Sequence, residues 1–141
     1  GGGGTGVVAG SGYLGPMARA STAAHDCHHL SVAGTSRDDM AAAANRLAEV
    51  GGGITVWQNG AEIALVELPI AGLMSDSPAA EVAAKAERMV QAMAECGCTL
   101  NNAYMQHSLL ALVVIPELRI SDLGLVDVTT FELTDLFEAE T

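Results

Sequence analysis

Aromatic side chains make up only 4% of this 141-residue chain, and bases are few beside acids: six Lys and Arg against seventeen Asp and Glu, a formal charge of −11. The first shortage leaves the core to Leu, Val, Ile and Met, with alanine as filler. The second bears on partners. Arg19, Arg37, Arg46, Lys85, Arg88 and Arg119 form no cluster, so nothing is present to neutralise a phosphate backbone, and an anionic membrane surface is repelled. Nucleic acid and membrane are therefore not expected partners. No run approaches the roughly 20 apolar residues that span a bilayer, and the glycine-rich start lacks the basic and then apolar profile of a secretory signal. The expected compartment is the cytoplasm. Three cysteines, an odd number without regular spacing, argue against a disulfide framework. The length suits one domain with a single ordinary core.

Residues 1–17 read as a glycine-rich linker or the remnant of an upstream chain, and 18–141 as the domain proper. "HLSVAGT" (29–35) alternates as a strand does, which places "HDCHH" (25–29) in the turn before it. Ser36 followed by Asp39 predicts a capped helix start, Met40, Ala43, Ala44 and Leu47 share one helical face, and Gly51 predicts the stop. "ITVWQNGAEIALVEL" is two β-type runs split by Asn59-Gly60, the signature of a two-residue hairpin. Ser77-Pro78 opens a second helix, buried through Val82, Ala86, Met89, Val90 and Met93 and ended by Gly97. "MQHSLLALVVIP" predicts a buried strand, with a helical alternative for its first half. "ELRISDLGLVDVTTFEL" predicts short extended segments around Gly124. The expected fold is α+β, a β-α-β-β-α-β-like layer with a mostly antiparallel sheet and two helices packed on one face.

Gly10-Ser11-Gly12-Tyr13-Leu14-Gly15 matches G-x-G-x-x-G and raises a nucleotide-binding module as one reading. Against it stand a short preceding strand, Pro16 directly after the motif, and a hairpin where a parallel βαβ series is needed. "HDCHH" offers metal-ligand types, but a closed site needs about four ligands, usually from two segments. Only Cys96, Cys98 and His107 remain to complete it, so a small metal-binding protein is the other alternative. Asp26 can instead cap the turn, or His25, Asp26 and His28 can face a cavity and do acid–base or positioning work. Cys27 beside histidines is a candidate activated thiol, without an identifiable oxyanion device.

Four blocks, "STAAHDCHHLSVAGTS", "DDMAAAANRLAEVGGG", "ELPIAGLMSDSPAAEVA" and "VIPELRISDLGLVDV", together resemble the C-terminal domain of adenine deaminases of the amidohydrolase superfamily, from Ser21 to Phe131. That family typically carries "HDSHN" where this chain has "HDCHH", so His25, Asp26 and His28 match while Cys27 and His29 depart. The resemblance implies a hydrolase that converts adenine to hypoxanthine and ammonia in purine salvage and adenine catabolism. It implies manganese or iron, held in a (β/α)₈ barrel that this chain is too short to form. The superfamily's His-x-His metal motif does not occur in the sequence. No cofactor or metal ligand is therefore expected within the chain. Its implied partners are the barrel domain, of the same or another chain, and a second copy in a homodimer. His25, Asp26 and His28 are the implied accessory site residues, supporting the active site.

Overall fold

A computed structural model describes residues 3–25 and 27–137. The elements are β1 (Met17–Ser21), β2 (Ser31–Gly34), α1 (Arg37–Val50), β3 (Gly53–Gln58), β4 (Ala61–Glu67), α2 (Ala79–Glu95), α3 (Ala103–Ser108) with a 3₁₀ turn at Leu109–Ala111, β5 (Leu118–Ser121), β6 (Gly124–Asp127) and β7 (Glu132–Thr134). They form an α+β fold with two antiparallel sheets, ordered β2-β1-β3-β4 and β5-β6-β7.

Strand parity fixes the layers. Successive side chains of a strand point to opposite faces, and in β1 Ala18 and Ala20 pack with Ala43 and Leu47 of α1. Met17 packs the other way, with Val56, Met89, Ala92 and Met93. The helices α1 and α2 thus cover opposite faces of the four-stranded sheet, which corrects the expectation of two helices on one face. The reason lies in β1, every residue of which is buried. A central strand enclosed on both faces needs a cover on each.

Both long helices start and stop where local chemistry dictates. Ser36 accepts the Asp39 backbone N–H at 3.2 Å, and Gly51 closes α1 in the left-handed conformation. The Asp39 carboxylate in turn accepts the Gly60 N–H at 2.9 Å, tying the first turn of α1 to the β3–β4 hairpin. Asn59 and Gly60 both have positive φ, 52° and 80°, as a type I′ turn requires. In α2, Pro78 is the N-cap, Met89 and Met93 are buried as expected, and Ala92 replaces Val90, which is exposed. Lys85 bridges Glu67 and Glu81 at 2.8 and 3.2 Å and fastens α2 to β4.

One strand has no counterpart in the sequence reading, and one segment differs from it. "MARAS" forms β1 although alanine and arginine are weak strand formers, because it is paired on both edges and packed on both faces. The expected strand in "MQHSLLALVVIP" is helix and 3₁₀ turn through residue 111. Here His107 Nδ1 meets the Ala103 carbonyl at 2.6 Å and Ser108 Oγ the Met105 carbonyl at 2.7 Å, contacts along one helical turn that an extended chain does not make. The C-terminal extended segments occur as expected, as β5 to β7.

A close backbone approach lies at the end of β1. Thr22 Oγ1 donates to the Gly72 carbonyl at 2.7 Å and accepts the Gly53 N–H at 2.8 Å, drawing the 69–74 loop onto the start of β3. A Cβ on Gly52 (φ 119°) would lie 2.5 Å from the Gly72 Cα, whereas one on Gly51 would meet nothing closer than 3.7 Å. Gly51→Ala is expected to cost about 1 kcal/mol, the left-handed penalty alone. Gly52→Ala is expected to cost about 3 kcal/mol, because backbone must also move. Chemical denaturation of the two variants measures the difference, and equal losses would contradict this packing.

Candidate functional site

A cavity of about 880 Å³ lies between the larger sheet, the glycine-rich segment and the region from α3 to β5. Its walls include Gly10, Gly12, Leu30, Val32, Leu110 and Ile120, and its polar groups include Tyr13, Arg19 and His107. These three come from distant parts of the chain. Arg19 shares the Met17 face of β1 by alternation and is 1% exposed. His107 is held on α3, and Tyr13 sits in the glycine-rich segment. That segment is docked rather than trailing: the Leu14 N–H donates to the Cys96 carbonyl at 2.8 Å and the Thr99 N–H to the Ser11 carbonyl at 3.3 Å, where α2 ends.

Hydrogen bonding settles the protonation pattern. The Ala103 carbonyl can only accept, so His107 Nδ1 carries the proton and donates to it. Nε2 is then the acceptor for the Tyr13 hydroxyl, 3.1 Å away. Burial lowers the His107 pKa, opposed by the bond to Ala103 and reinforced by the Arg19 charge. Burial raises the Tyr13 pKa well above its ordinary 10, with the Cys98 thiol adding to the effect. Tyr13 and His107 therefore form a neutral, oriented pair at pH 7.

Arg19 is the charged member. Burial brings its pKa down to about 10, which still leaves it cationic at neutral pH. Its Nη2 reaches the Tyr104 carbonyl only at 3.4 Å, and its buried Nε has no partner. Among the described residues no Asp or Glu pairs with it. Taking an unpaired guanidinium out of water costs several kcal/mol.

The sequence-predicted residues lie apart from this trio. Ala24 to His28 form a turn closed by the His28 N–H on the Ala24 carbonyl at 2.7 Å, with His28 at φ 50°. His25 and His28 are exposed on it, and Asp26 lies outside the described residues. His28 edges a smaller hollow of about 300 Å³ with Thr22 and Gly72, while Cys27 and His29 line the large cavity. His28 on one side and Cys27 with His29 on the other thus border different hollows. Sequence reasoning passes over Tyr13, Arg19 and His107 as a group. The available signals are a single cation inside a run of small residues and a single histidine inside an apolar run.

Neither alternative chemistry has its geometry here. Gly15-Pro16 leads into β1, whereas a dinucleotide fingerprint must open a helix whose N-terminus receives phosphate. Among the described residues no three His, Cys, Asp or Glu side chains group as metal ligands. Cys96 is buried, which raises its thiol pKa, and Cys27 is exposed. Among the described residues none are grouped to hold the manganese or iron that the resemblance places in the barrel.

Arg19 and His107, buried, and Tyr13, half-buried, make a polar trio within an α+β domain. The adenine deaminase C-terminal domain family matches residues 1–132. The adenine deaminase of Ruegeria pomeroyi is 78% identical over 131 residues, covering 93% of this chain and 22% of that protein. That of Roseobacter denitrificans is 74% identical over 134 residues, covering 95% and 22%. That of Clostridium botulinum is 47% identical over 123 residues, covering 87% and 20%. The chain belongs to the adenine deaminase C-terminal domain family and spans about a fifth of the length of these relatives.

The neutral state of His107 has a consequence for stability. Its folded pKa lies below the unfolded 6.5, so the unfolded chain binds the proton first as pH falls. The associated stability is complete above about pH 6.5 and is lost progressively below it. Between pH 7 and 5 the melting temperature of the chain is expected to fall more steeply than that of His107→Gln. Parallel slopes in the two melting series would show that His107 is not buried in its neutral form.

Proposed function

We propose that this domain serves an adenine deaminase that hydrolyses adenine to hypoxanthine and ammonia, with the metal and the reaction housed in the part of the enzyme outside this chain. The observation that carries the reading is coverage: relatives named adenine deaminase align over nearly all of this chain, yet the chain is only 22% of the first of them. The lack of a metal-ligand group among the described residues supports the same division of labour. So does the exposed apolar surface of the β5–β7 region. Leu118, Leu123, Phe131 and Leu133 are each at least half exposed, and such surfaces mark contact sites. A barrel domain, of the same chain or a partner chain, is the occupant this reading assigns to that surface, and a homodimer is its expected assembly.

In this reading the turn carrying His25, Asp26 and His28 reaches the mouth of the barrel and positions adenine or closes the site. The exposure of His25 and His28 supports that role, since a group that serves a neighbouring domain cannot be buried in its own. Manganese or iron, bound by the barrel, would supply the activated water. None of the helices of this chain is long and apolar enough to cross a membrane, among the described residues, and the proposed compartment is the cytoplasm.

The test is ammonia release from adenine. The 141-residue chain with added manganese or iron is expected to release none. In a complete adenine deaminase carrying this domain, His25→Ala, Asp26→Ala and His28→Ala are expected to lower kcat/KM roughly 10- to 100-fold through lost positioning, with metal content unchanged. Turnover by the isolated chain would overturn the placement of the reaction. Unchanged kcat/KM in all three variants would remove the turn from the mechanism.

A further inference from the structure

We propose that the large cavity is a carboxylate-binding site in which Arg19 takes the carboxylate and the surrounding wall takes the body that bears it. The first support is Arg19 itself. It is a buried cation in the cavity wall, with an unpartnered Nε, one long contact at 3.4 Å and no acid beside it among the described residues. A guanidinium offers a planar fork of donors that matches a carboxylate in two parallel hydrogen bonds, and such a partner offsets the cost of its burial.

Charge selects the class of anion. The other basic side chains are engaged elsewhere or face solvent: Arg46, Lys85 and Arg88 pair with glutamates, Arg119 donates to the Pro116 and Leu118 carbonyls, and Arg37 is exposed. His107 is neutral at its hydrogen-bonded position. A dianion such as phosphate would meet one cation in a chain of net charge −11, with Asp122 also in the cavity wall. A monoanion is matched one to one. The walls then receive the remainder of the ligand on apolar side chains such as Leu30, Val32 and Leu110, set among polar ones such as Ser31, Thr35 and Ser121. A volume of about 880 Å³ falls in the range of small-molecule sites.

The carboxylate has two possible sources, a free monocarboxylic acid or an acidic side chain from the part of an adenine deaminase outside this chain. The experiment is thermal unfolding of the 141-residue chain titrated with sodium benzoate, against sodium chloride and sodium sulfate at equal ionic strength. Benzoate is expected to raise the melting temperature saturably, by an amount on the order of 5 °C. Arg19→Met is expected to keep the circular dichroism of the parent and lose the shift. Arg19→Lys, which retains the charge without the fork, is expected to bind about tenfold more weakly, and it carries the test should the methionine variant not fold. A flat benzoate titration, an equal rise with sulfate, or a benzoate rise undiminished in both variants would each overturn the proposal.

The same titration on a complete adenine deaminase separates the sources. A persisting shift assigns the site to a free acid. A shift present in the chain and absent from the complete protein assigns it to an internal carboxylate. Because the readout is unfolding rather than turnover, failure here leaves the assignment of the deaminase reaction untouched, and failure of that assignment leaves this site standing.

Discussion

Everything in the larger sheet depends on β1 being buried on both faces. A five-residue strand with neighbours on both edges and helices above and below cannot present one polar and one apolar side, so its composition is constrained at every position. Ala18 and Ala20 are small enough for α1 to lie close, and their α1 partners Ala43 and Leu47 are fully enclosed. On the reverse face Met17 joins the α2 core while Arg19 introduces a charge where a hydrocarbon side chain would be the simpler choice. Interiors charge heavily for unpaired cations. The fold offsets that cost only partly, through the Tyr104 carbonyl, and leaves the Nε without a partner.

The parts of the fold legible in the sequence are those governed by local chemistry. Ser36, Asp39 and Gly51 bound α1, and Asn59-Gly60 sets the hairpin, because each acts on backbone within a few residues. β1 is less legible. Its strand conformation is imposed by β2, β3 and two helices, none of which can be read from five small or charged residues. The helix at 103–108 is obscured for a related reason: an apolar run of that length suits either period, and the decision rests on the placement of Ala103, His107 and Ser108 against the rest of the domain. The two-sided cover of the sheet follows from β1 and is hidden with it.

The site divides in the same way. A dense local cluster such as "HDCHH" draws attention because its members are adjacent, whereas Tyr13, Arg19 and His107 are brought together only by the fold. The cluster lies at the surface, with His25 and His28 exposed. The trio is an interior arrangement with fixed proton positions. The family resemblance speaks to the first, through residues that match a motif, and is silent on the second. Gly10 and Gly12 add backbone to the side chains that enclose the space.

The Tyr13–His107 bond spans 94 residues of sequence. Contacts between such distant positions close long loops, whose entropic cost must be met before the contact contributes anything. The cavity has no precursor in any short stretch of chain. During synthesis, the residues up to 100 can acquire the four-stranded sheet and both long helices while one wall of the cavity is still missing, and only the emergence of the segment from α3 to β5 supplies it.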